Sequence, residues 1–212
     1  LFRSTPEVTQ DYASLKSAYL SLNGKISVNF RFRVPEDGWK IVLDYESQSD
    51  PQTKTVELDK NDSTIFSDGE FTVGFSEVAA KNMTEKIRIS FIDAEGNAAK
   101  IKVGSSDDLV DSFAYGVSDW AEHMIANPGS SEYTVGIAKA LLSYGQAAQN
   151  YFGYNLGSPA DATGLLGAEL AAVSIGEEYE TVKEGNFREA GLASAALVLE
   201  RSEEHTSELQ SL

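Results

Sequence analysis

The side chains able to do acid, base or metal chemistry in this chain are mostly carboxylates: 33 Asp and Glu stand against 17 Lys and Arg, two His and no Cys. Without a thiol there is no disulfide, no thiolate nucleophile and no cysteine-based metal site. A proton shuttle near neutral pH would fall to histidine. His123 sits beside Glu122, but a zinc site or a Ser-His relay needs partners at fixed spacing, and neither HExxH nor GxSxG occurs. His123 is therefore expected to face solvent or cap a helix. Acid pairs abound, yet a glycosidase needs two carboxyls held across a cleft, which sequence spacing does not report. "DAEGN" at 93–97 and "SSDD" at 105–108 offer oxygen ligands of the kind Ca²⁺ takes, but neither completes an EF-hand loop. They are expected to be a hairpin turn and a polar connection. The expectation is a chain with no catalytic residue, no metal and no cofactor.

Binding chemistry points instead to aromatic rings. Trp39, Tyr45 and Trp120 are the residues one would ask to stack on a sugar, and "YFGY" at 151–154 adds Tyr154 just past Gly153. Trp39 and Tyr45 share a face with Ile41 and Leu43, and Trp120 shares one with Met124, so core packing is the stronger expectation for them. Gly153 ends a helix and leaves Tyr154 either to pack or to face outward. Trp39, Tyr45 and Tyr154 stay as candidate ligand contacts.

These residues must be positioned by strands first and helices second. In "NGKISVNFRFRV" the residues Ile26, Val28, Phe30, Phe32 and Val34 alternate with Ser27, Asn29, Arg31 and Arg33, the period of a strand with one buried face. The alternation returns at Trp39–Tyr45, Phe71–Phe75 and Ile87–Phe91, with shorter stretches around 56–58 and 101–103. Asn23-Gly24, Asp37-Gly38, Asp68-Gly69 and "DAEGN" supply the turns. About seven short strands at this spacing predict an antiparallel Ig-like β-sandwich over 14–104, mainly β with α. "SEVAAKNM" at 76–83 breaks the alternation as a helical turn.

Past Gly104 the period lengthens. Ser118 is a candidate cap for a helix carrying Trp120, Ala121, Met124 and Ile125, stopped by Asn127-Pro128-Gly129. Ser130 or Ser131 then caps a second helix, whose stripe is Ile137, Leu141, Tyr144, Ala148 and Phe152. The pair predicts an antiparallel two-helix hairpin over 105–157, packed on the sandwich. Residues 1–13 belong to whatever precedes, and the small residues of 158–172 predict a linker. "LASAALVLE" can be laid over "LKSAYLSLN", matching Leu192 to Leu15 and Leu199 to Leu22, so 173–200 is expected to be the truncated start of a second repeat. Starting at Leu1 without Met, the chain is expected to be an internal fragment of a longer protein.

Two stretches carry resemblances. "RSEEHTSELQS", Arg201–Ser211, resembles the in-frame translation of a widely used short-read sequencing adapter, and 201–212 is set aside on that ground. "SLNGKISVNFRF", "VSDWAEHMIANP" and above all "AKALLSYGQAAQNYFGYN" resemble an Ig-like repeat of large secreted or cell-surface proteins of gut Gram-positive anaerobes. The resemblance covers about Ser14 to Glu200 and implies an extracellular or cell-surface location beside other repeats; it brings no catalytic residues.

The formal net charge of −16 repels phosphate backbones and anionic lipid, which disfavours nucleic-acid binding. No run approaches the ~18 apolar residues of a membrane span, so no membrane insertion is expected. The function expected is a non-catalytic structural or adhesion repeat, whose partners are neighbouring repeats and an extracellular glycan or surface protein. The alternative is a carbohydrate-binding module of a secreted glycan-degrading system.

Overall fold

Strict alternation of large apolar and polar residues becomes strand wherever the apolar set can be buried on one side. The computed structural model describes residues 11–161 and Gly164. Its strands are β1 (Tyr12–Ser21), β2 (Ser27–Arg33), β3 (Lys40–Tyr45), β4 (Gln52–Glu57), β5 (Phe66–Ser67), β6 (Glu70–Ser76), β7 (Lys86–Ile92), β8 (Ala98–Val103), β9 (Leu109–Val110) and β10 (Phe113–Gly116). A 3₁₀ turn at Ala80–Asn82 and helices α1 (Val117–Ala126) and α2 (Glu132–Phe152) complete the described chain. The protein is thus mainly β with α.

The described residues fall into two compact units. The first takes residues up to Val78 together with Glu85–Gly116, and the second takes Ala79–Thr84 and the chain from Val117 on. In the first, the strands form one sheet in the order β4-β3-β7-β8-β1-β2-β6-β5, with β10 on β7 and β9 on β8. The sheet curls as a half-barrel. The purely antiparallel expectation is corrected at one place: β1 pairs antiparallel with β2 but parallel with β8, Tyr12–Leu15 running beside Lys100–Val103. Periodicity reports which face of a strand is buried and carries no information on the direction of its neighbour. The sheet also reaches Gly116, through β9 and β10, which are too short to show a period.

Register follows the apolar faces. Val28, Phe30 and Phe32 of β2 pair with Phe75, Val73 and Phe71 of β6, and Ile41, Leu43 and Tyr45 of β3 pair with Phe91, Ile89 and Ile87 of β7. All twelve are buried. Phe32 meets Phe91 edge-on at 4.9 Å between ring centroids, and Tyr45 meets Phe75 at 4.6 Å, so rings of the β2–β6 pair contact rings of the β3–β7 pair. Each large side chain buried this way contributes about 1.5–3 kcal/mol.

In the second unit α1 and α2 pack through Ala121, Ala138 and Leu142, with Trp120, Met124 and Ile125 half-buried against them. Ser131 is the cap of α2: its hydroxyl accepts from the Thr134 amide at 3.1 Å. Gly153 closes the helix at φ +60°, ψ 33°, the left-handed conformation a side chain disfavours. The buried stripe of α2 differs from the expected one. Ala138, Leu142, Gly145, Gln146 and Gln149 face inward, while Tyr144 and Phe152 are exposed. Small residues let the helix approach its neighbours closely, and the glutamines are accepted inside because their amides are hydrogen-bonded.

Candidate functional site

The acidic stretches come first, since they held the metal and acid-base candidates. In "DAEGN" the Asp93 carboxylate accepts from the Asn97 amide at 2.7 Å and from the Asn97 side chain, and Gly96 takes φ +92° to let the loop close. The backbone donor of Asn97 holds the Asp93 carboxyl below the ordinary carboxylate range. In "SSDD" the Asp107 carboxylate accepts from Lys102 at 2.9 Å, which lowers its pKa and raises that of the lysine. The Ser106 hydroxyl accepts from the Asp108 amide. Both stretches direct acid oxygens to their own loop or to the adjacent strand.

Elsewhere on the first unit acids alternate with bases across neighbouring strands. Glu70 of β6 lies between Arg31 and Arg33 of β2 and is mostly buried by them, while Glu46 pairs with Arg88 at 2.5 Å and Asp111 with Lys100 at 2.5 Å. Lys25 pairs with Glu77 and lowers its pKa, and the Thr64 hydroxyl and amide do the same for Asp62. His123 is exposed in the last turn of α1. Among the described residues no three of His, Asp and Glu converge as a metal site would require.

The candidate ligand contacts do not come together as a platform. Trp39 retains 3% of its surface and Tyr45 6%, so neither ring face is open to a sugar approaching from solvent. The Trp39 indole N–H has no hydrogen-bond partner among the described residues. Tyr154 is half-buried and receives the Asn82 side-chain amide at 3.5 Å, with the Lys81 ammonium 4.7 Å from its ring centroid.

Apart from Tyr19 of β1, the exposed rings among the described residues lie on α2 instead, Tyr133 included. Tyr144 and Tyr151 are 41% and 42% exposed seven residues apart, and Phe152, 63% exposed, meets Tyr151 edge-on. Beneath them is a run of buried amides. Gln146 donates to Asn150 Oδ1 at 3.0 Å, and Gln149 donates to Thr84 Oγ1, which also receives Asn155 Nδ2 at 3.1 Å. Sequence reasoning missed these amides as partners of other segments. The available signal was two glutamines three residues apart, flanked by Gly145 and Ala148, in a helix whose apolar stripe they interrupt.

Comparison with known proteins finds no family model that matches the chain and no curated relative.

Proposed function

We propose that this chain is a non-catalytic structural module of a secreted or cell-surface protein, its first unit an Ig-like sandwich that carries load between neighbouring repeats. The observation that carries the reading is strand direction. β1 is parallel to β8, and both β8 and β10 are antiparallel to β7, so β1 and β10 point the same way. A pull entering at Tyr12 and leaving at Gly116 therefore acts along the strands in opposite senses. It loads the ladder bonds together in shear and does not peel them one at a time. The β2–β6 and β3–β7 pairs, with aromatic contacts between them, support the sandwich. Acids spent in turns and cross-strand pairs support the absence of catalysis.

Pulling geometry tests this on one folded protein, because a chain without cysteine accepts thiol handles at chosen places. Handles at Asp11→Cys and Ser118→Cys, the latter two residues past Gly116, shear the sheet. Handles at Asp11→Cys and Asp111→Cys pull from one end of the strands. The load-bearing reading expects the first pair to need the larger force; equal forces, or hydrolysis of glycans or peptides by the purified chain, would refute it. The carbohydrate-binding reading is favoured by the exposed Tyr144, Tyr151 and Phe152. Glycan-array binding abolished by replacing these three with Ala would establish it over the first.

A further inference from the structure

Residues 158–161 begin the stretch expected to be a linker, yet they are held on α2. Gln149, fully buried, donates from Nε2 to the Ser158 carbonyl at 3.1 Å and accepts at Oε1 from the Ala160 amide at 2.8 Å. Gln146, 2% exposed, accepts from the Asp161 amide at 3.1 Å. One side-chain amide thus pairs with the C=O and N–H of residues two apart, as a neighbouring β-strand would. The Ala160 methyl, 2% exposed, enters a niche that exists because residue 145 has no side chain; a Cβ there would stand 3.0 Å from it. The loop between helix and strap turns through Gly153 and Asn155, both at positive φ, and is closed by the Ser158 amide donating to the Asn155 carbonyl.

We propose that Gln146 and Gln149 form a backbone-binding site whose occupant is the strap Ser158–Asp161, and that the strap can leave this site while α2 stays folded. Seated, it fixes the chain on α2 as far as Asp161; released, it frees the chain from Gly153 onward to that residue. The difference is eight residues, Gly153 to Asp161, or up to about 27 Å of extended chain. The strap buries Ala160 and Asp161, while the sheet buries the twelve apolar side chains of β2, β6, β3 and β7, so under tension the strap yields first. The site rests on the hydrogen bonds alone. Its use as a reserve of length rests on the load-bearing reading above.

Amide hydrogen exchange on the full chain tests the site. The Ala160 and Asp161 amides are expected to exchange at least about 100-fold more slowly than in an unstructured peptide. Gln149→Ala should abolish that protection while Leu142 and Ala147 in α2 keep theirs. Ala160→Arg, which overfills the niche and leaves every α2 side chain in place, should do the same. Unprotected Ala160 and Asp161 in the parent chain would overturn the proposal, and so would loss of α2 protection together with the strap in both variants. Pulling the full chain from its ends tests the reserve: a step at low force, no longer than about 27 Å and missing in Gln149→Ala, is expected. Protection without that step would leave the site and refute the reserve.

Discussion

Two glycines in one helix make opposite predictions, and the difference isolates the packing of α2. Gly136 and Gly145 both lie inside α2, where replacing glycine by alanine is favourable by about 1 kcal/mol on helix propensity alone. Nothing lies within 4 Å of a Cβ built on Gly136. At Gly145 the same atom stands 2.8 Å from Met83 Sδ, 3.2 Å from Met83 Cβ and 3.0 Å from Ala160 Cβ. The sulfur alone would be a soft obstacle, since a thioether can swing aside. Met83 is fully buried, however, and its Cβ moves only with the backbone of the 3₁₀ segment. Overpacking of this kind costs about 1–3 kcal/mol, which meets or exceeds the propensity gain. Gly136→Ala should therefore stabilise by up to about 1 kcal/mol, and Gly145→Ala should be neutral at best and destabilising by up to about 2 kcal/mol, the difference of those two magnitudes. Urea unfolding followed by far-UV circular dichroism resolves both shifts. If Gly145→Ala stabilises as much as Gly136→Ala, the close approach of α2 to Met83 and Ala160 is wrong. A rescue sharpens the point: Met83→Ala should recover part of the Gly145→Ala loss, measured as a double-mutant cycle.

Other substitutions follow from the same reasoning. Phe32→Ala removes a ring in contact with both Phe71 and Phe91 and should cost about 3–5 kcal/mol of unfolding free energy, read by chemical denaturation; a cost under 1 kcal/mol would contradict its place in the core. Ser131→Ala should cost about 1 kcal/mol and increase exchange at the Thr134 amide, because the capping acceptor is gone. The Asp93 carboxyl, titrated by NMR, should have its midpoint below an ordinary aspartate. Its contribution to stability is then present above the unfolded pKa near 3.8 and fades as pH falls through the lower folded value. Asn97→Ala should leave most of that depression, since the main donor is the backbone amide, whereas Asn97→Pro should reduce it further and leave only what the Glu95 and Gly96 amides supply. Gly74→Ala should destabilise the sheet, because its Cβ would stand 2.3 Å from Asn29 Oδ1 and 3.1 Å from the Val28 carbonyl.

The long strands were legible because their burial is one-sided. Val28, Phe30 and Phe32 alternate with Asn29, Arg31 and Arg33, and the apolar set is the buried set. Turns and the caps of α2 were legible for the same local reason, since Ser131 and Gly153 act on bonds within four residues of themselves, whereas Ser118, expected to cap α1, lies inside it as its second residue. The parallel β1–β8 contact was not, since it joins residues far apart by backbone bonds to which any side chain is indifferent. The strap was illegible as well. Its composition, Ser-Pro-Ala-Asp, is that of a linker, and the residues that hold it are amides on another element. Tyr144 and Phe152 continue the apolar period of α2 but are exposed, because the helix buries its small residues and its hydrogen-bonded glutamines instead.

The parallel pairing also governs the order in which the sheet forms. Tyr12 meets Lys100, 88 residues later, and closing a loop of that length costs about 4 kcal/mol of chain entropy before any contact repays it. The β1–β2 turn, by contrast, closes over a few residues. As the chain leaves the ribosome, β1 can zip to β2 at once, but its other edge at Tyr12–Leu15 waits until β8 has been made. During that interval the nascent domain presents an open strand edge. The strands that emerge in that interval, β3 through β7, can each reach that edge before β8 does. The nearly 90-residue separation thus sets a kinetic window for misregistered assembly, and closing it quickly is a demand on the folding rate of β3 through β8.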